Sequence, residues 1–126
     1  MSANPRKSIL VVDDSPVVRS FHANILKMQG YQPVGACDGV DALEKALMGR
    51  FHLILCDINM PNMDGLTFIR RFREHDEAAP IIILTTHADP AHPTQGYLAG
   101  ANLYLVKPVT PDKLTRHIEL LLGGRS

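Results

Sequence analysis

The stretch Leu53-Ile54-Leu55-Cys56-Asp57-Ile58-Asn59-Met60-Pro61-Asn62-Met63-Asp64-Gly65 decides the fold, because it passes directly from an unbroken apolar run into a loop of turn residues. Four consecutive apolar residues without polar alternation suit a strand whose two faces are both covered. An acid, Asp57, stands at the junction.

Working outward, four more short apolar runs occur at Ile9 to Val12, Pro33 to Ala36, Ile81 to Leu84 and Leu103 to Val106. Each is followed by a stretch of amphipathic character, and this alternation predicts a parallel sheet with helices on both faces, strands three and four being central. Ser15-Pro16, Asp89-Pro90 and Thr110-Pro111 each place a side-chain oxygen before a proline suited to a first helical turn. In the first helix Val18, Phe21, Ile25 and Met28 form the expected apolar stripe, stopped by Gly30, and Leu114, Ile118 and Leu121 repeat the pattern in the last. Helices two and three are expected near Asp41 to Met48 and Gly65 to His75.

With 126 residues, 45% of them hydrophobic, the chain is expected to form one domain with no room for a second. Thirteen basic and thirteen acidic residues balance, which disfavours nucleic acid and anionic membrane as partners. No apolar run approaches the roughly 20 residues that span a bilayer, and Met1 to Lys7 lacks a secretory apolar stretch, so the expected location is the cytoplasm. Cys37 and Cys56 lie in apolar surroundings without CxxC spacing and are expected to be small core residues. His87 and His92 fall in a proline-bearing loop with no third ligand nearby and read as solvated histidines.

In an open parallel sheet, ligands bind at the carboxyl ends of the strands. The residues there are Asp13 and Asp14 after strand one, Asp57 after strand three, Thr85 after strand four and Lys107 after strand five. Alone, each has an ordinary account as a turn acid, a strand-end threonine or a surface lysine. Together on one edge they point to a charge problem, since three neighbouring carboxylates repel one another, and a hard divalent cation resolves it. Mg2+ is the expected ion, because it takes one or two carboxylates and leaves positions for phosphate oxygens. A carboxylate can accept a phosphoryl group covalently, and Asp57, rooted on a central strand, is the best candidate. Lys107 would pair with one phosphoryl oxygen and the Thr85 hydroxyl with another.

Val11-Val12-Asp13-Asp14-Ser15, the Asp57 to Gly65 segment, Ile83-Leu84-Thr85, and Gly100-Ala101 through Lys107-Pro108 resemble the corresponding motifs of bacterial two-component response-regulator receiver domains, especially the stand-alone chemotaxis-regulator type. The similarity runs from about Ser8 to Leu122. It implies one receiver domain over 1–126 without an output domain, with a flavodoxin-like (βα)5 doubly wound sheet in the order 2-1-3-4-5. By the same resemblance Asp57 is the phosphoacceptor, and Asp14, Asp57 and the Asn59 backbone carbonyl contact Mg2+, with Asp13 acting mainly through water. Thr85 and Tyr104 form the switch, and Lys107-Pro108 is a cis peptide. The donor is a sensor histidine kinase or histidine phosphotransfer protein, and the output is binding to a downstream protein. The chain is expected to gain and lose its own phosphoryl group without acting as a turnover enzyme, as a monomer or weak dimer.

Two departures from the family pattern stand out. Thr86 replaces a small residue after Thr85, which bears on access to Asp57. Pro90 and Pro93 predict a late or distorted fourth helix, beginning nearer Pro93. Two other functions compete. An Mg2+-dependent phosphohydrolase with an aspartyl nucleophile usually carries a second acid two residues on, where this chain has Asn59. A receiver-like module that no longer takes phosphate would not need the complete set of Asp13, Asp14, Asp57, Thr85 and Lys107.

Overall fold

All five apolar runs become strands and all five intervening stretches become helices in the computed structural model, which describes residues 6–86 and 91–123. The order is β1 (Ser8–Val12), α1 (Pro16–Met28), β2 (Gln32–Ala36), α2 (Gly39–Met48), β3 (Leu53–Cys56), α3 (Gly65–Arg73), β4 (Ile81–Thr85), α4 (Ala91–Ala99), β5 (Leu103–Val106) and α5 (Pro111–Leu121). The strands pair in parallel as β2-β1-β3-β4-β5, the flavodoxin-like order the resemblance implies. Pro33, which has no N–H to give a ladder, lies on the edge strand β2.

Strand alternation divides the core. Leu10, Val12, Ile54, Cys56, Ile81 and Ile83 face α2, α3 and α4, while Ile9, Val11, Leu53, Leu55, Ile82 and Leu84 face α1 and α5. Because β1, β3 and β4 are buried on both faces, their carboxyl ends are the best-fixed part of the sheet edge.

The helix starts follow the capping signals. Ser15 accepts the Val18 N–H at 3.3 Å and Thr110 accepts that of Lys113 at 3.2 Å, each with proline in the first turn. Asp38 and Asp64 cap α2 and α3 in the same way, at 2.8 and 2.7 Å. Gly30, at φ 92°, ends the α1 segment in the left-handed region that favours glycine. Asp89-Pro90, His87 and the side chain of His92 lie outside the described residues.

Three expectations are corrected. The buried face of α1 is His22, Ile25 and Leu26, with Phe21 53% and Met28 84% exposed, so the stripe is displaced by about 70° around a helix of 3.6 residues per turn. Hydropathy misplaced it because the inward slot near the strand ends is held by an imidazole. Cys37 is exposed, one residue beyond the end of β2, whereas Cys56 is buried as expected. Helix α4 begins at Ala91, nearer Pro90 than Pro93. Pro93 therefore lies within the helix and does not set its start.

Among the described residues no helix is long and apolar enough to cross a membrane.

Candidate functional site

The carboxyl ends of β1 and β3 set Asp13, Asp14 and Asp57 side by side. The Asp13 N–H reaches the Ala36 carbonyl at 3.1 Å and the Asp57 N–H reaches that of Val12 at 3.0 Å, so sheet pairing continues through the first acids beyond the strands. One carboxylate oxygen from each of Asp13, Asp14 and Asp57 can be chosen so that all three lie within 4.8 Å of one another.

Lys107, at the end of β5, reaches across β4 to this cluster. Its Nζ lies 2.7 Å from Asp13 Oδ2 and 3.4 Å from Asp57 Oδ2, and its backbone N–H donates to the Thr85 carbonyl at 2.7 Å. The Lys107-Pro108 peptide is cis, as the resemblance implies. The Asp13 carboxylate is held on both sides, by Lys107 at Oδ2 and by the Ser15 N–H at Oδ1, 2.9 Å away. Asp57 Oδ1 accepts the Ile58 N–H at 2.7 Å. One ammonium against three carboxylates leaves two formal negative charges at a site of hard oxygen donors. That donor set fits a small divalent cation such as Mg2+.

Thr85 is fully buried at the end of β4. Tyr104 is paired in register with Ile83, so its side chain and that of Thr85 lie on the same face of the sheet. Its half-buried ring packs on the α2/α3/α4 side beside Gly96, where an added Cβ would stand 3.2 Å from Tyr104 Cδ2. The expected Asp13, Asp14, Asp57 and Lys107 are therefore gathered in one cluster. Thr85 adjoins it through the Lys107 backbone, Asn59 lies in the β3–α3 loop two residues after Asp57, and Tyr104 stands one strand away from Thr85.

Several neighbours were not legible in the sequence. Arg19 Nη1 donates to the Asp13 carbonyl at 2.7 Å. His22 lines a small cavity with Val12, Asp13, Cys56, Asp57 and Leu84, directly beneath the acids. Burial, and then the nearby Lys107 charge, hold its imidazole below the ordinary histidine value, against the opposing pull of Asp13 and Asp57. Burial likewise pushes the Cys56 thiol well up, helped by Asp57, which makes it an inert core thiol rather than a nucleophile. An aliphatic stripe with one histidine gives no sign of which way that histidine faces.

Residues 9–119 match the model of the response regulator receiver domain family. The chain is 41% identical over 114 residues to the sensor protein EvgS of Escherichia coli (strain K12), covering 90% of this chain and 10% of that protein. It is thus similar to a tenth of the length of that relative. Among solved structures, the chemotaxis protein CheY4 of Vibrio cholerae superposes with TM-score 0.88 at 35% identity, covering 93% of this chain and 99% of that one. The response regulator TrrA of Thermotoga maritima, solved in complex with Mg2+ and beryllium fluoride, superposes with TM-score 0.85 at 33% identity, covering 91% of this chain and 98% of that one.

Proposed function

We propose, from the premise that this chain belongs to the response-regulator receiver family, that it is switched by phosphorylation of Asp57. Receivers take phosphoryl groups from histidine kinases and signal through binding; they are not a family of turnover enzymes. The observation that carries the assignment to Asp57 is the convergence of three carboxylates and one ammonium within a single strand-end cluster.

In the transfer step a carboxylate oxygen of Asp57 attacks phosphorus in line, the bond from phosphorus to the donor's imidazole nitrogen breaks, and that nitrogen leaves with the electron pair. Asp14, Asp57 and the Asn59 carbonyl would hold Mg2+, which when bound supplies neutralisation of charge on the phosphoryl oxygens. Asp13 has both carboxylate oxygens engaged by Ser15 and Lys107, which supports a role through water for this acid. Lys107 must release Asp13 or Asp57 to meet a phosphoryl oxygen, so the new contact exchanges one ion pair for another. Thr85 would bind a further oxygen, and Tyr104, on the same face of the sheet, would follow it and alter the surface around α4, β5 and α5. Loss of the group by hydrolysis needs water beside Asp57, and Thr86 would restrict its approach.

The partners are then a histidine kinase or phosphotransfer protein and a downstream protein target, met in the cytoplasm. The phosphohydrolase alternative is not favoured: Asn59 occupies the place of that class's second acid, and the family match covers most of the chain.

Incubation with Mg2+ and acetyl phosphate should add one acid-stable, base-labile phosphoryl group, read by intact mass. Asp57→Asn should abolish it. Full labelling of that variant would remove Asp57 from the assignment.

A further inference from the structure

Away from the three strand-end acids, a fourth acid is tied to the loop that carries Asn59. Asp38, buried at the N-cap of α2, accepts the Asp41 N–H at 2.8 Å with Oδ1 and the Asn62 Nδ2–H at 2.6 Å with Oδ2. The hydrogen bonds from Asp41 and Asn62 hold its carboxyl below the usual range. Beside it the Gly39 N–H donates to the Met63 carbonyl at 3.0 Å. A Cβ at Gly39 would collide with that carbonyl, so the two backbones approach only because the residue is glycine. The far end of the loop is closed by the Gly65 N–H on the Ile58 carbonyl at 2.8 Å. Asn62 has φ 69°, and among the described residues it is the one non-glycine with positive φ. The β3–α3 loop is therefore fixed at its end by its own turn and in mid-span by the start of α2.

We infer that Asp38 and Asn62 are positioning residues for the cation site, their clasp setting the place of the Asn59 carbonyl relative to Asp57 and hence the affinity for a divalent ion. This rests on the cation reading of the Asp57 cluster. Mg2+ demands a near-ideal octahedron, so a carbonyl on an unanchored loop loses affinity through the ordering needed on binding. Outer partners that orient metal ligands are typically worth about 10- to 100-fold in affinity. The clasp joins residues 24 positions apart, so its effect is separable from the local cap that Asp38 also provides.

The test is Mg2+ titration of the full chain by calorimetry, with unfolding of each variant followed in EDTA. Asp38→Ser keeps a capping oxygen for Asp41 but is too short to hold Asn62, and Asn62→Gly keeps the positive φ while removing the amide. Each should weaken Mg2+ by about 10-fold while still unfolding cooperatively in EDTA well above the titration temperature, at a cost of no more than the lost hydrogen bond. Asp38→Asn combined with Asn62→Asp reverses donor and acceptor across the clasp and should recover most of the loss. Single variants that bind Mg2+ like the wild type would overturn the inference, as would an exchange variant no tighter than the singles. A wild-type chain that takes up no Mg2+ would overturn the cation reading itself, and the inference with it.

Discussion

Helices α3 and α4 are each nine residues long and pack on the same side of the sheet, yet they are held in different ways. Helix α3 buries Phe68, Ile69 and Phe72, three large side chains. Helix α4, among its described side chains, buries only Gly96 and Ala99, and its Leu98 is 82% exposed. A buried Phe or Ile contributes about 1.5–3 kcal/mol, whereas Gly and Ala bring little apolar area. Helix α3 thus follows directly on the loop below Asp57 as a fixed wall, while α4 rests on β4 and β5 through small contacts. A helix with few large anchors can be moved at low cost, and α4 is the helix whose Gly96 lies against the Tyr104 ring.

The largest effect should come from removing an anchor from the wall. Phe68→Ala is expected to cost about 3–5 kcal/mol, because the side chain is fully buried and its neighbours close only partly over the cavity. Leu98→Ala in α4 should stay within about 0.5 kcal/mol, as a surface change. Urea unfolding of the two variants gives the ratio directly. Equal losses would mean that α4 is anchored as firmly as α3, and the contrast between them would fail.

The same contrast explains what the sequence allowed to be read. The runs ending at Val12, Cys56 and Val106 are short, apolar and bounded by turn residues, so strands and strand-end residues could be placed without knowing any contact. Asp13, Asp14, Asp57 and Lys107 were legible for that reason, since the sheet alone brings them together. What depends on how a helix is rotated was not. His22 is buried and Phe21 exposed against their hydropathy, because the orientation of α1 is set by Leu26, which packs into the sheet-side core with Ile9, Val11 and Leu55. Cys37 was placed inside by its apolar neighbours, although β2 is an edge strand and its end is open. The Asp38 to Asn62 clasp joins two loops distant in sequence, and Asp38-Gly39 alone reads only as a helix start.

A smaller effect sharpens the comparison from the other side. At Gly96→Ala the new Cβ would stand 2.6 Å from Ile83 Cδ1, which can turn away, and 3.2 Å from the Tyr104 ring, which must yield slightly. The gain in helix propensity, about 1 kcal/mol, opposes the crowding, so net stability should change by less than about 1 kcal/mol. The ring itself should respond: Tyr104 NMR signals are expected to shift in the resting chain and to change less on phosphorylation than in the wild type. Unaltered Tyr104 signals in both states would show that α4 gives way instead of the ring.

The smallest effect concerns the imidazole of His22, packed beneath the acids. His22 has its imidazole pKa depressed below 6.5, mainly by burial and secondly by Lys107, with Asp13 and Asp57 acting in the opposite sense. The unfolded chain therefore binds more protons than the folded one in the window below 6.5. The neutral ring's contribution to stability is complete above that pH and declines as pH falls through the folded value. In His22→Leu this dependence disappears while the carboxylates that dominate acid unfolding remain, so the wild type should lose stability faster than the variant on acidification from pH 7.5 to 5, in EDTA. Parallel curves for the two proteins would mean that the ring takes up its proton as readily in the fold as outside it. The cavity beneath Asp57 would then be wet enough to solvate a charge, and the strand-end edge of the sheet less rigid than its buried strands imply.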